Sequence, residues 1–286
     1  MSKFINALGF LTIIRIPDKY ILEEKQISSS TVYFPVVGLI IGSFMALFYF
    51  AISFVLPVFL SIILMLILEV FLTGGAHLDG LADMFDGTFS GKSDKNKIIE
   101  IMRKSDIGVY GILSVIFLVL LKISLLYYLV KINPAYMPIF FLAVVFMPSF
   151  GRWSMVYLVA RYRNAGGNAS LARVFTDSGN KRKNLYISSI YMTLSFLISF
   201  VFLEYYCADG NMYCVIFDSR FEGIYLVLYI LIKALLVIAV LFLLLYLIGW
   251  FFTRRIRGIT GDIIGGISET VELMFLFIIL LFFNFL

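Results

Sequence analysis

The hydrophobic positions of this chain fall in long unbroken runs rather than in alternation. Candidate runs cover 34–55, 57–75, 109–130, 136–160, 186–205, 224–250 and 268–286. A helix needs about 20 apolar residues to cross a bilayer, so each run predicts one span. Pro57 divides the first long stretch and predicts a hairpin of two spans rather than one very long helix. The expected architecture is all-α: a polytopic integral membrane bundle of about seven transmembrane helices, forming a single domain over 1–286. Phe4, Leu8 and Leu11 recur at helical spacing ahead of Arg15-Ile16-Pro17. They predict an N-terminal interfacial helix over 3–16, lying on the membrane surface.

Composition agrees with this pattern. The chain is 62% hydrophobic and 14% charged, against roughly 45–50% and about 25% for a soluble domain. The net charge of +5 calls for no nucleic-acid partner, because its distribution follows membrane topology. Lys and Arg number four in 1–33, five in 76–108, six in 161–185 and three in 251–267, while the alternate segments hold Lys131 and Arg220. The positive-inside rule then places the N-terminus and the long loops in the cytoplasm and the C-terminus outside. The expected location is a bacterial or archaeal cytoplasmic (inner) membrane, with the lipid bilayer itself as a partner. No small-residue cleavage site precedes Arg15, so no cleavable signal peptide is expected. There is no Cys-x-x-Cys or Cys/His cluster, which argues against zinc and iron–sulfur sites. Cys207 and Cys214 share one exterior loop, and a disulfide or two free thiols both fit them.

The polar residues that interrupt the apolar pattern carry the chemistry. The forty residues 34–73 contain one charge, Glu69, and are followed by Gly74-Gly-Ala-His77-Leu-Asp79-Gly80-Leu-Ala-Asp83-Met-Phe-Asp86-Gly87. Helical spacing puts Asp79, Asp83 and Asp86 on one face within about two turns. Carboxylates so close to a span are costly unless a cation, a proton path or a substrate accounts for them. Mg²⁺ takes oxygen ligands, typically one or two carboxylates together with substrate phosphates. Gly80 and Gly87 offer backbone that a ligand can approach. A solvated acidic helix face is the plainer alternative. A second acidic cluster, Asp262, Glu269 and Glu272, lies on the same side of the membrane. Asp262 and Glu269 are seven residues apart and share a helical face. The two clusters read as halves of one metal site, each at a helix–membrane junction, with a snorkelling rim that balances Arg254, Arg255 and Arg257 as the alternative.

Among the cations, Arg152 stands inside the fourth span after Pro148, Ser149 and Gly151. It should pair with a carboxylate or an anionic substrate. Lys122 and Lys233 are also intramembrane; Lys122 reads as reaching for a surface, and Lys233 has no partner that the sequence names. The loop from Arg161 to Asn168 is cationic and glycine-rich, suited to phosphate, though positive-inside bias explains such loops equally well. Arg103 and Lys104 follow the triad loop.

Together these segments resemble the adenosylcobinamide-GDP ribazoletransferase (cobalamin synthase) family. The resemblance begins at Phe10-Leu-Thr-Ile-Ile-Arg15-Ile-Pro17 and Tyr33-Phe-Pro35-Val-Val-Gly38 and is strongest over Gly75 to Gly87. It continues through Ile101-Met-Arg103, Gly108, Gly111 and Arg152, and ends at Thr260-Gly-Asp262-Ile-Ile-Gly265 with Glu269 and Glu272. One departure is that this chain has Lys104-Ser105-Asp106 where the family commonly has Asp-Ser-Arg, so no role is carried onto Lys104 or Asp106. The glycine loop at Gly166-Gly167-Asn168 matches loosely.

The resemblance implies a Mg²⁺-dependent transferase in cobalamin (vitamin B12) biosynthesis. It would join adenosylcobinamide-GDP to α-ribazole or α-ribazole 5′-phosphate with release of GMP. It implies a metal held by Asp79, Asp83, Asp86, Asp262 and Glu269. Asp83, Glu272, Arg152 and His77 become the catalytic candidates, and Arg103, Arg152, Gly80 and Gly87 the substrate-binding ones. A homo-oligomer is left open. Two rivals are a prenyl- or CDP-alcohol-type transferase and an ion-coupled transporter. The first fits poorly, since Asp83 stands where the CDP-alcohol motif has arginine. The second fits poorly because the clusters lie at span ends and the sequence shows no internal repeat.

Overall fold

In the computed structural model, residues 2–22, 24–104, 106–131, 137–167, 171–176, 180–208 and 224–284 are described. They form α1 (Ser2–Leu11), α2 (Glu24–Ile27), α3 (Phe34–Ile52), α4 (Val58–Thr73), α5 (Ala76–Phe89), α6 (Lys95–Met102), α7 (Val109–Lys131), α8 (Met137–Arg161), α9 (Leu171–Thr176), α10 (Lys181–Ala208), α11 (Ile224–Ile256) and α12 (Gly261–Asn284), with 3₁₀ turns at Asp18–Tyr20 and Ser28–Tyr33. Among the described residues six helices are long and apolar enough to cross a membrane, and the bent pair α4–α5 is a candidate seventh. The protein is thus an all-α, multi-pass membrane bundle. The predicted hairpin is present, with Pro57 immediately before α4. Helix α1 packs on the Ser28–Tyr33 turn and α3, and the segment after it is tied to the end of α4 by Ile13 N–H donating to the Leu72 carbonyl at 2.9 Å. Cys214 lies outside the described residues, as does the Cys207 side chain.

Two helices make the centre. Helix α8 packs against α3, α10 and α12, and α12 also packs against α5, α7 and α11. Helix α8 is buried along most of its length, whereas α7, α10 and α11 turn most of their surface outward. In lipid, apolar contact alone gives little preference for protein over tails, so close packing must come from small residues. Helix α3 supplies Gly38-Leu-Ile-Ile-Gly42 for this purpose. A Cβ at Gly38 would lie 2.5 Å from Ser149 Cα, and one at Gly42 would lie 2.7 Å from the Val145 carbonyl carbon. Ser149, one residue after Pro148 in α8, donates to the Pro35 carbonyl at 2.9 Å. Phe150, Phe196 and Phe275 then stack α8, α10 and α12 together.

The break between α4 and α5 positions the acidic segment. Gly74 and Gly75 both adopt left-handed backbone, with φ of 66° and 72°. That conformation costs a residue with a side chain roughly 1–2 kcal/mol. Gly75 N–H closes the end of α4 on the Val70 carbonyl, and α5 leaves at 89° to α4. This turn lays the face of α5 that carries His77, Gly80, Leu81 and Met84 against the start of α12.

Gly42→Val places its branches in the Val145 backbone and should destabilise the bundle by about 1–3 kcal/mol. Thermal unfolding in detergent should show a lowered midpoint for Gly42→Val and none for Gly261→Ala, where an added Cβ meets nothing within 4 Å.

Candidate functional site

The acidic residues divide into an outer and an inner group. Helix α5 crosses α12 at glycines: a Cβ at Gly80 would lie 2.8 Å from the Asp262 carbonyl oxygen, and one at Gly266 would lie 3.0 Å from Leu81 Cα. This close approach gathers the outer group. The carboxylates of Asp79, Asp262 and Asp86 all act electrostatically on Asp83, and Arg103 acts on Asp262. Asp79 is exposed, and Asp83 and Asp262 are half-buried, so the group opens outward.

The loop after α8 is pinned beside this opening. Ile259 N–H donates to the Arg163 carbonyl at 2.9 Å and Ala165 N–H to the Ile259 carbonyl at 2.8 Å. The Arg103 guanidinium donates to the Gly166 carbonyl. Asn164 steadies the turn by accepting from Gly166 N–H at 3.0 Å and donating to the Gly167 carbonyl at 2.8 Å. The cationic glycine loop and Arg103 therefore do border the acidic opening.

Asp86 has a different task from its two neighbours. It is buried, and its carboxylate accepts from Gly108 N–H at 2.7 Å and Gly111 N–H at 2.8 Å. It caps the positive end of α7. Side chains at Gly108 or Gly111 would collide with that carboxylate, which accounts for both glycines.

The inner group lies deeper along α12. The helix begins at Gly261, seven residues before the span expected from the sequence. Glu269 and Glu272 therefore stand two to three turns inside it rather than at a membrane junction. Lys122 Nζ of α7 donates to Glu269 Oε2 at 2.7 Å and to Glu272 Oε2 at 2.5 Å, and lies 3.7 Å from Glu69 Oε2 of α4. Arg152 Nη1 donates to Glu272 Oε1 and lies 3.7 Å from Glu69 Oε1, while Nη2 reaches His77 Nδ1 at 3.2 Å. Gly151 makes room: a Cβ there would lie 2.6 Å from Glu272 Oε1. Arg152 and Glu272 are 0% exposed, so the pair is a buried ion bridge joining α8 to α12.

These contacts revise several readings. Lys122 does not reach for a surface; it is the hub of the inner group. Lys233 has an aromatic partner, with Nζ 4.6 Å from the centre of the Tyr229 ring. Gly80 and Gly87 face protein, not open space for a ligand, since a Cβ at Gly87 would meet Met102 Cγ at 2.5 Å. Arg255 donates to the Thr88 carbonyl and Arg254 lies over Trp250, so neither balances Asp262. Lys104 lies 3.7 Å from Glu100 on the surface. Glu69 and Lys122 are the residues whose roles sequence reasoning missed. The available signal was two opposite charges in separate spans, each too costly to leave unpaired.

Among the described residues no three acidic, histidine or cysteine side chains stand close enough to enclose a metal ion by themselves. The outer group nonetheless offers the hard oxygen donors that Mg²⁺ takes. That ion is commonly bound by one or two carboxylates, with waters and substrate phosphates filling the remaining positions. Asp79, Asp83 and Asp262 are the donors on which an open site of this kind would draw. Asp86 and Glu269 are engaged by backbone amides and by Lys122.

Breaking a buried pair leaves an uncompensated charge and costs about 3–5 kcal/mol. Arg152→Met should therefore destabilise the protein by that order, and adding Glu272→Gln should recover part of the loss. Reversible denaturation in mixed micelles measures both.

The whole chain was compared with known proteins. Residues 3–280 match the family model CobS, cobalamin-5-phosphate synthase. A protein of Clostridium tetani named adenosylcobinamide-GDP ribazoletransferase is 30% identical over 98% of both chains. Proteins of the same name from Clostridium botulinum and Fusobacterium nucleatum are each 32% identical, over 98% of this chain and 98% and 97% of theirs. No solved structure matches. The order of the motifs and the match over residues 3–280 agree: the chain belongs to the cobalamin-5-phosphate synthase family.

Proposed function

We propose that this protein joins adenosylcobinamide-GDP to α-ribazole, or to α-ribazole 5′-phosphate, and releases GMP. The observation that carries the reading is the docking of α5 on the start of α12. It brings Asp79, Asp83 and Asp262 to one opening bordered by Arg103 and the Gly166 loop. An acidic opening repels a diphosphate unless a cation accompanies it, and the family's named substrate is a GDP ester.

The chemistry is displacement at phosphorus. The ribazole hydroxyl oxygen forms a bond to the cobinamide-side phosphorus, the bond to the bridging oxygen breaks, and GMP departs with that oxygen. Asp79, Asp83 and Asp262 would hold Mg²⁺, which when bound supplies charge neutralisation at the phosphate oxygens. The guanidinium of Arg103 has donors left after its bond to Gly166 and would bind phosphate. One of the outer carboxylates would receive the proton of the attacking hydroxyl. Glu272 is not free for that task, because both of its oxygens accept from buried cations. The positive-inside bias of the loops supports a cytoplasm-facing site in the inner membrane.

Purified protein in lipid nanodiscs, given Mg²⁺, adenosylcobinamide-GDP and α-ribazole, is expected to release GMP and form the corrinoid product. EDTA should abolish the reaction and added Mg²⁺ restore it. Asp83→Asn should lower kcat by about a hundredfold or more; full activity in that variant would remove the metal assignment. A second measurement needs no turnover. Mg²⁺ alone should raise the thermal midpoint of the wild-type protein, since a ligand that binds the folded state stabilises it. It should not do so in the triple variant Asp79→Asn, Asp83→Asn, Asp262→Asn.

A further inference from the structure

His77 is the chain's one histidine, and its ring is fixed by a single bond. The Arg152 nitrogen that meets Nδ1 at 3.2 Å belongs to a group with donors and no acceptor. Nδ1 must therefore accept, and the ring proton resides on Nε2. Arg152 is in turn held by Glu272, and Glu272 by Lys122, which also binds Glu269. Lys122, Arg152, Glu269 and Glu272 are all at most 4% exposed. Water does not compete for these bonds, and hydrogen bonds in such surroundings are correspondingly strong. Nε2 has no partner among the described residues. His77 sits on the first turn of α5, two residues before Asp79.

We propose that Lys122, acting through Glu272 and Arg152, positions His77 as a fixed Nε2–H donor to an anionic phosphoryl oxygen of the substrate. The tautomer stands on the geometry alone, whereas the phosphoryl partner rests on the function proposed above. In this arrangement His77 is a neutral donor, and its Nδ1 is closed to general-base chemistry. Lys122 touches no reacting atom; it is a positioning residue that reaches the site through three side chains.

The test is ¹⁵N NMR of the full chain in nanodiscs at neutral pH, with histidine ring nitrogens labelled. One histidine gives one pair of signals. The expected pair is a protonated Nε2 and an unprotonated Nδ1, read without substrate and so independent of whether turnover occurs. A proton on Nδ1, or on both nitrogens, overturns the proposal. Adding adenosylcobinamide-GDP should move the Nε2 signal; an unmoved Nε2 overturns the phosphoryl partner. The double variant Lys122→Met, Glu269→Gln keeps the net charge of the inner group. It is expected to mix the two tautomers and lower kcat about tenfold in the protein that remains folded. A wild-type tautomer and kcat in that variant would reduce Lys122 to a structural lysine. At position 77, a Gln amide can place an N–H near the Nε2 position, whereas Asn cannot. His77→Gln should stay within about tenfold of wild type while His77→Asn and His77→Ala fall about a hundredfold, the range expected for a hydrogen bond to a charged group. Equal losses in all three would overturn the donor role.

Discussion

Everything in this structure turns on the bridge from Lys122 and Arg152 to Glu272. A lone charge in a span costs several kcal/mol, so each of these groups requires the others. Lys122 comes from α7, Arg152 from α8, Glu272 and Glu269 from α12, Glu69 from α4 and His77 from α5. Satisfying one buried charge therefore fixes the relation of five helices. Apolar packing in lipid cannot do this with the same specificity, because tails and side chains are nearly equivalent surroundings. The charge bridge selects the arrangement, and the glycines let the helices come close enough to complete it. Gly151 admits Glu272, Gly80 and Gly266 admit the crossing of α5 over α12, and Gly38 and Gly42 admit α3 onto α8.

The sequence made the spans legible because bilayer thickness fixes their length, and six of the seven runs coincide closely with helices. The last did not, since Asp262 and the glycines that follow lower local hydropathy while still forming helix. That misplacement made Glu269 and Glu272 look like junction residues. The acidic face of α5 was legible through its spacing, and so was its partnership with Asp262. Spacing could not show that Asp86 turns toward the amides of Gly108 and Gly111, because helical periodicity gives a face and not the neighbour that meets it. The glycines were misread for a related reason. A missing side chain invites close approach, but only the fold shows whether a ligand or another helix makes it.

Lys122 illustrates the same limit more sharply. Taken as a single residue, a lysine in a span can snorkel, and snorkelling is the common outcome. The carboxylates to which it donates lie on α12, 147 and 150 residues away in sequence. Nothing local distinguishes a lysine that escapes to the surface from one that anchors a core. What the sequence did offer was a balance: Lys122, Arg152 and Glu69 all sit in spans, and none can be left unpaired.

The two groups of acidic residues differ in what they still require. Inner carboxylates are enclosed and already bound to cations, so an added ion would have to displace Lys122 or Arg152. Outer carboxylates face an opening and act on one another, and Arg103 acts on Asp262. An anionic diphosphate is repelled by the outer group when it arrives without a cation and is attracted when one accompanies it. Under the proposed function, a cation bound at the outer carboxylates would remove the electrostatic obstacle to the diphosphate. Because Asp262 shares α12 with Glu269 and Glu272, the inner bridge sets the height and rotation of the one outer carboxylate that α5 does not supply. Stability and reactivity therefore meet on a single helix: its inner end is held by buried cations, and its outer end is left short of them.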